Sequence, residues 1–375
     1  MTDSSSISQS PARAVPAESG GINEQRRRGR GAVSNRSGRF ESYVSFASDD
    51  GWGTLDELEA FKTEVLTERP AKIISSNKSP DIKFDKSINP YRGCEHGCVY
   101  CYARPTHTYL GLSAGIDFES KLFVKENAAK LLEKELAADG YQPQTIAFGA
   151  NTDAYQPIER QYRVTRSLLE VLDRANHPVS LITKSATIVR DIDILSGMAE
   201  RGLVKAAISI TTLDRKLARA MEPRASTPEK RLEALRLLSE AGVPTAVVVA
   251  PIIPALNDPE IETILKRATA AGATEAGYVV LRLPHELRGL FREWLQTHYP
   301  DREAHVFSLL RSMRDGKEND STWGRRMRGS GPYAWQLGRR FEIATKRLGL
   351  NEHRLNLRTD LFRPPVMQGQ QMKLL

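Results

Sequence analysis

From residue 71 onward the chain alternates short β-branched runs with longer amphipathic ones, and this alternation limits the fold more than any single residue does. Strands are expected near 83–89, Gln144 to Gly149, Val179 to Thr183, Val204 to Thr211, Pro244 to Ala250 and Gly277 to Leu283. Helical periodicity fills the intervals over Glu126 to Ala138, Val164 to Ala175, Val189 to Gly202, Pro228 to Gly242 and Pro259 to Gly272, several of which end at a glycine suited to a left-handed cap. Strands that alternate with helices build a parallel sheet covered by those helices. The expected fold class is therefore α/β with six βα units. Periodicity alone leaves a partial barrel and an open doubly wound sheet as alternatives.

The alternation does not reach either end. Residues 1–50 are rich in Ser, Gly, Arg and Ala without apolar periodicity, which predicts a disordered basic tail, with Gly29 to Asn35 as a stretch that docks locally. Residues 51–70 are expected to hold a helix over Leu55 to Phe61, capped by Thr54, and a linker. Residues 71–296 carry the βα units, and 297–375 read as a helical basic extension. Charge follows this division. Seven arginines face three acidic residues in 1–40, eleven Lys and Arg face three acidic residues in 321–375, and the whole chain carries a net charge of +8. Basic ends could attract a polyanion such as nucleic acid, or serve as a solvated surface. No window approaches the run of about twenty apolar residues that spans a bilayer. The N-terminus lacks a secretory layout, so a cytoplasmic protein with no membrane partner is expected. Nothing in the sequence reads out an oligomeric state.

All three cysteines fall in one window, Cys94, Cys98 and Cys101, with the spacing C-x3-C-x2-C. An odd count with no partner elsewhere argues against a disulfide framework. Three thiolates can hold three corners of an iron–sulfur cube and leave the fourth iron open to a small molecule. The competing reading is a Cys3His zinc site completed by His96 or His107, which would make the chain a zinc-stabilised, non-enzymatic nucleic-acid-binding protein. Zinc modules usually draw their ligands from two separated pairs, which favours the cluster.

The window, including Tyr100 just before the third cysteine, resembles the cluster loop of the radical S-adenosylmethionine superfamily. The run from Asn89 to Cys94 and from Cys101 to Pro105 is similar to the subgroup related to spore photoproduct lyase. The resemblance covers about residues 72–290 and implies a partial (β/α)6 TIM-like barrel with the cluster loop after the first strand. It implies a 4Fe–4S cluster on Cys94, Cys98 and Cys101, S-adenosyl-L-methionine chelated by the open iron, and Tyr100 against the adenine. An electron donor such as flavodoxin or ferredoxin would supply the cluster. Nucleic acid is the substrate suggested by the subgroup.

Further site residues are expected at the strand ends, where chemistry gathers in parallel α/β architectures. After the second strand, Asn151, Thr152 and Asp153 can approach a cationic amine, and the resemblance assigns this turn to the methionine amino group. After the third, Lys184 can meet the carboxylate, and in the fourth Ser209 and Thr211 share a face that can bond ribose or carboxylate oxygens. Arg224 is a second candidate for the carboxylate, with a buried ion pair between Glu222 and an outer helix as the competing role for that loop. Ala250 could form a wall for adenine. His285 and Glu286 are placed near the barrel mouth. The lyase subgroup is understood to return hydrogen through a further cysteine near Ala150 to Thr152; this chain has none there, which makes thymine-dimer reversal doubtful and leaves Tyr155 as a substitute donor. In the C-terminal extension, Arg325, Arg326, Arg328, Tyr333 and Trp335 suit either a single-stranded nucleic acid or a cap on the open side of the barrel, and the cap is preferred.

Overall fold

The computed structural model describes residues 22, 24–40, 60–82 and 84–366. In chain order its strands are β1 (Glu64–Thr67), β2 (Ile74–Ser76), β3 (Lys86–Ile88), β4 (Tyr91–Arg92), β5 (Lys121–Val124), β6 (Ile146–Phe148), β7 (Val179–Thr183), β8 (Val204–Ser209), β9 (Thr245–Ile252) and β10 (Glu275–Val280). The α-helices are α1 (Asp117–Ser120), α2 (Ala128–Leu136), α3 (Glu159–Tyr162), α4 (Val164–Arg174), α5 (Ile192–Glu200), α6 (Arg215–Met221), α7 (Pro228–Glu240), α8 (Ile261–Ala270), α9 (Leu287–His298), α10 (Pro300–Ser312) and α11 (Gly331–Arg347).

The main sheet runs β2-β3-β6-β7-β8-β9-β10, parallel throughout except for β2 against β3. This order decides between the two architectures that periodicity left open. A doubly wound sheet reverses its strand order at a switch point. Within this sheet each strand lies beside the next without reversal, so right-handed crossovers put the connecting helices on one side and the sheet curls. The result is a partial barrel, open between β10 and the β2–β3 edge. Local sequence supports each unit. At α7, Thr227 accepts from the amide of Lys230 and Pro228 occupies the first turn. The apolar faces of α4, α7 and α8 then bury Leu168, Leu172, Leu235, Leu238, Ile264 and Leu265 against the strands.

A smaller sheet, β1-β5-β4, stands beside the barrel and frames the cysteine loop. Its strand β1 occupies a stretch expected to be linker. The helix expected over 55–61 lies outside the described residues except for Ala60 and Phe61, which are not helical. Residues 24–40, expected within a disordered tail, are packed on the body of the protein. Arg30, Ala32 and Val33 are buried, because this segment satisfies buried polar groups rather than presenting an apolar stripe. Apart from residue 22, the remainder of the 1–50 tail lies outside the described residues.

The open side is covered from the C-terminus. The Val280 amide at the end of β10 donates to Met327 O at 2.9 Å. On the other side of the gap, the Gly324 amide donates to Asp81 and the Arg326 guanidinium binds Asp81 and Ser79. Helix α11 packs on α8, with Tyr333 donating to Asp258 at 2.8 Å and Arg340 bridging Glu262. Trp335 points to solvent at 70% exposure, so this residue is no part of the cap.

Candidate active site

The cysteine loop leaves β4 and is held on every side by its backbone. The Cys94 amide donates to Phe118 O, the Glu95 amide to Gln156 Oε1, and the Val99 amide to Met221 O, at 2.9, 2.9 and 3.0 Å. Arg104, fully buried, folds back beneath the loop. Its guanidinium donates to the carbonyls of Gly97, Cys98, Ala114 and Gly115 and is paired with buried Glu119. Five donors on one rigid plane let a single arginine fix several carbonyls at once.

Glu119 is the keystone of a second tie. Its carboxylate accepts the amides of Gly31 and Ala32, both at 2.8 Å, while Arg30 donates to the Glu119 carbonyl and to Phe61 O. The N-terminal segment thus lies directly on the loop. A Cβ at position 31 would sit 1.8 Å from Gly97 O, so only glycine fits.

Cys94 and Cys98 are buried, Cys101 half-buried, and none forms a disulfide. Burial is the main cause that pushes all three thiols upward, Cys98 to about 12 with Glu222 adding to the effect. Thiolates in this setting call for a positive centre, which a metal core supplies. Among the described residues no three His, Cys, Asp or Glu side chains converge on a single-ion position. The histidines that the zinc alternative requires are also engaged. His107 Nε2 lies 2.9 Å from Lys121 O, and His96 Nδ1 lies 3.4 Å from Asp153. Three cysteine thiols, with both nearby histidines engaged elsewhere, are a donor set that a 4Fe–4S cluster would use.

The expected strand-end residues surround this loop. Gly149 closes β6 with φ of +78°, and a side chain there would strike Ile182 O. After it, the Asn151 amide donates to Asn89 and the Thr152 hydroxyl to Tyr91 O. Asp153 accepts from the Thr183 hydroxyl and from the amides of Tyr155 and Lys184, beside His96. Burial would raise its carboxyl, but His96, Thr183 and the Lys184 amide hold it below the ordinary range. Asp153 is therefore occupied in joining the cysteine loop to β7. Lys184 reaches over the Tyr100 ring at 5.8 Å; burial opposes its charge, and Cys98, Glu222 and Asp153 more than restore it. The Ser209 hydroxyl donates to Ala250 O at 3.2 Å, and Thr211 Oγ1, whose proton goes to Glu222, lies 3.2 Å from the same oxygen, which brings the fourth and fifth strand ends together.

In the loop after α6, Glu222 takes the competing role expected of it, a buried ion pair with an outer helix, and Arg224 is paired at the rim. Arg224 pairs with Glu95 at the rim. Glu222 forms the buried ion pair with Arg231 of α7 and also accepts from Tyr100 and Thr211. Burial would raise its carboxyl, but Arg231 and Lys184 keep it low. Tyr100 is consequently locked by its hydroxyl. Glu286 is bound by Arg39 and His285 is exposed. Tyr155 sits among Asp191, Glu159 and Arg190, the opening turns of outer helices. Sequence reading missed Arg104, Glu119, Gln156 and Arg231. Arg104 lay within the quoted motif, but nothing in its spacing shows a side chain that turns back under the loop.

Residues 88–268 match the family model described as the radical SAM superfamily. An uncharacterized protein of Mycobacterium tuberculosis (strain H37Rv) is 35% identical over 240 residues, covering 63% of this chain and 71% of the relative. An uncharacterized protein of Methanocaldococcus jannaschii is 31% identical over 199 residues, covering 53% and 71%. Among solved structures, spore photoproduct lyase complexed with dinucleoside spore photoproduct shares the fold, with a TM-score of 0.53 and 17% identity over 76% of this chain and 80% of that one. The cysteine loop described above falls inside the matched region, at the strand ends of the shared partial barrel. The chain belongs to the radical SAM superfamily and is an enzyme of that class.

Proposed function

We propose that Cys94, Cys98 and Cys101 hold a 4Fe–4S cluster, that S-adenosyl-L-methionine binds beside it, and that a reduced flavodoxin or ferredoxin feeds it electrons. The observation that carries this reading is the loop itself. Three unpaired thiols lie on a backbone pinned by Arg104 and by the loops after β6 and β8, at the C-terminal side of a parallel barrel. When bound, the cluster and cofactor would supply a 5′-deoxyadenosyl radical that takes a hydrogen atom from the substrate. The protein's residues bind, orient and exclude water.

Lys184 offers the buried cation for the methionine carboxylate, with Arg224 at the rim as a second one. The turn at Asn151 and Thr152, which Asp153 fixes, would meet the amine. Ser209 and Ala250 would line the side toward ribose and adenine, and Tyr100, held by Glu222, would form a rigid wall. A nucleic-acid substrate is supported by the fold's likeness to spore photoproduct lyase.

The test is anaerobic reconstitution, with iron and acid-labile sulfide measured per chain and cofactor binding followed by calorimetry. Near four irons in the wild type, none retained in the Cys94→Ala/Cys98→Ala/Cys101→Ala variant, and weakened cofactor binding by Lys184→Ala with its cluster intact are the expected results. Iron retained by the triple variant, or one zinc per chain in the wild type, would overturn the reading.

A further inference from the structure

Arg282 takes no part in the contacts described so far, yet it stands at the barrel mouth. It lies two residues beyond β10, on the side where the parallel strands end, and its guanidinium is 5.7 Å from the centre of the Tyr102 ring. Tyr102 directly follows Cys101, and its hydroxyl donates to Ala150 O just beyond β6. The pair therefore reaches across the mouth from the last strand to the cysteine loop. Tying down the hydroxyl leaves the Tyr102 ring 47% exposed beside the cation.

Arg282 is poorly satisfied for so enclosed a charge. It is half-buried, its Nε is shut off from water without an acceptor, and its Nη1 meets the Met327 sulfur, a weak acceptor, at 3.8 Å. Its surroundings are positive as well. Arg314, 1% exposed, donates to Leu281 O and Glu318 O and also has an Nε without an acceptor. Burial, with Arg282 next in effect, pushes Arg314 down to about 10. Burial likewise lowers Arg282, and Arg326 adds to the effect. Asp81, the carboxylate that opposes this, is already engaged by Arg326 and the Gly324 amide. Like charges crowd together out of water only at a cost, which a bound anion removes. Among the described residues no carboxylate pairs with Arg282 to supply one.

We propose that Arg282 binds a phosphate group of the substrate at the barrel mouth. This deepens the nucleic-acid reading above and rests on it for what carries the phosphate. A guanidinium offers a phosphate two parallel N–H donors, which no other side chain does. A cation next to an exposed aromatic ring also provides the two chemistries, one for phosphate and one for a base face, that a single strand requires. Arg314 and Arg326 act on this site through their charge.

The experiment uses the full chain and three probes: inorganic phosphate, a single-stranded hexathymidylate, and the same hexamer with an uncharged methylphosphonate backbone. Phosphate is followed by melting temperature against chloride at equal ionic strength, and the labelled hexamers by fluorescence anisotropy. Phosphate should raise the melting temperature of the wild type, which should bind the charged hexamer more tightly than the neutral one. Arg282→Gln should weaken the charged hexamer about tenfold, lower its salt slope by about one and abolish the response to phosphate. Its binding of the neutral hexamer should match the wild type. Arg282→Lys, which keeps the charge without the fork, should fall between. Unchanged binding of the charged hexamer by Arg282→Gln, or an equal loss of both hexamers, would overturn the site. A wild type that phosphate stabilises through Arg282 but that binds neither hexamer would keep the site and remove the nucleic-acid reading. A wild type indifferent to all three probes would overturn both.

Discussion

Glu222 organises the site through three contacts at once, because a buried carboxylate must be fully satisfied to remain charged. Arg231, Tyr100 and Thr211 meet that need, and in doing so tie α7, the cysteine loop and the end of β8 to one point. The motif containing it offered Glu222 and Arg224 as near neighbours, and only packing distinguishes the buried pair from the rim pair. His177 shows the same principle away from the site. One ring nitrogen accepts from Tyr141 at 2.9 Å and the other lies 3.0 Å from Pro178 O, with Phe362 edge-on to the ring. Burial, the largest cause, pushes its pKa down to about 4. The folded state thus resists a proton that the unfolded chain takes up near 6.5, so stability present above pH 6.5 is lost as pH falls and levels off below about 4. Thermal melts across that window should show a decline that is smaller in His177→Gln. An equal decline in both proteins would place the acid sensitivity elsewhere.

At the scale of elements, the strands and helices of the barrel fall within a few residues of their sequence expectations, since each has an apolar period that burial enforces. Val179–Thr183 coincides with its expected strand, and α4 and α7 begin where Val164 and Pro228 indicated. The cysteines were legible for a different reason, their chemistry at fixed spacing, while the strand-end residues were expected from their place after the strands and from the family resemblance. The N-terminal wall was not. Its binding depends on two backbone amides meeting Glu119 and on the absence of a Cβ at Gly31, and neither leaves a periodic signal. That fit yields a prediction that needs no cofactor. Gly31→Ala should displace the segment from Gly97 and expose the loop, so a small thiol reagent should label Cys98 in the metal-free protein about tenfold or more faster, with the barrel's far-UV circular dichroism retained. Unchanged labelling would show that the segment does not shield the loop.

For the molecule as a whole, a barrel that stops at six parallel units leaves an unpaired strand edge, and such an edge must be covered. The C-terminal extension does this with its own residues. Met327 pairs with β10, Arg326 reaches Asp81 across the gap, and Phe341 of α11 packs on Tyr278 with ring centroids 4.6 Å apart. The arginines that suggested nucleic-acid contact are largely consumed here: Arg325 is held by Asp315 and Arg326 by Asp81, while Arg328 lies over the Tyr278 ring. Burial then separates Phe341 of α11, which the sequence reading did not single out, from Trp335, which it did. Phe341 is nearly enclosed, and its replacement by alanine should cost about 3–5 kcal/mol through a cavity at the edge of β10. Trp335→Ala should change stability by no more than about 0.5 kcal/mol, because the ring faces solvent. Urea denaturation of the two variants checks both values. A large loss from Trp335→Ala with little from Phe341→Ala would mean that α11 presents its other face to the barrel and that the closure described for the open edge is wrong.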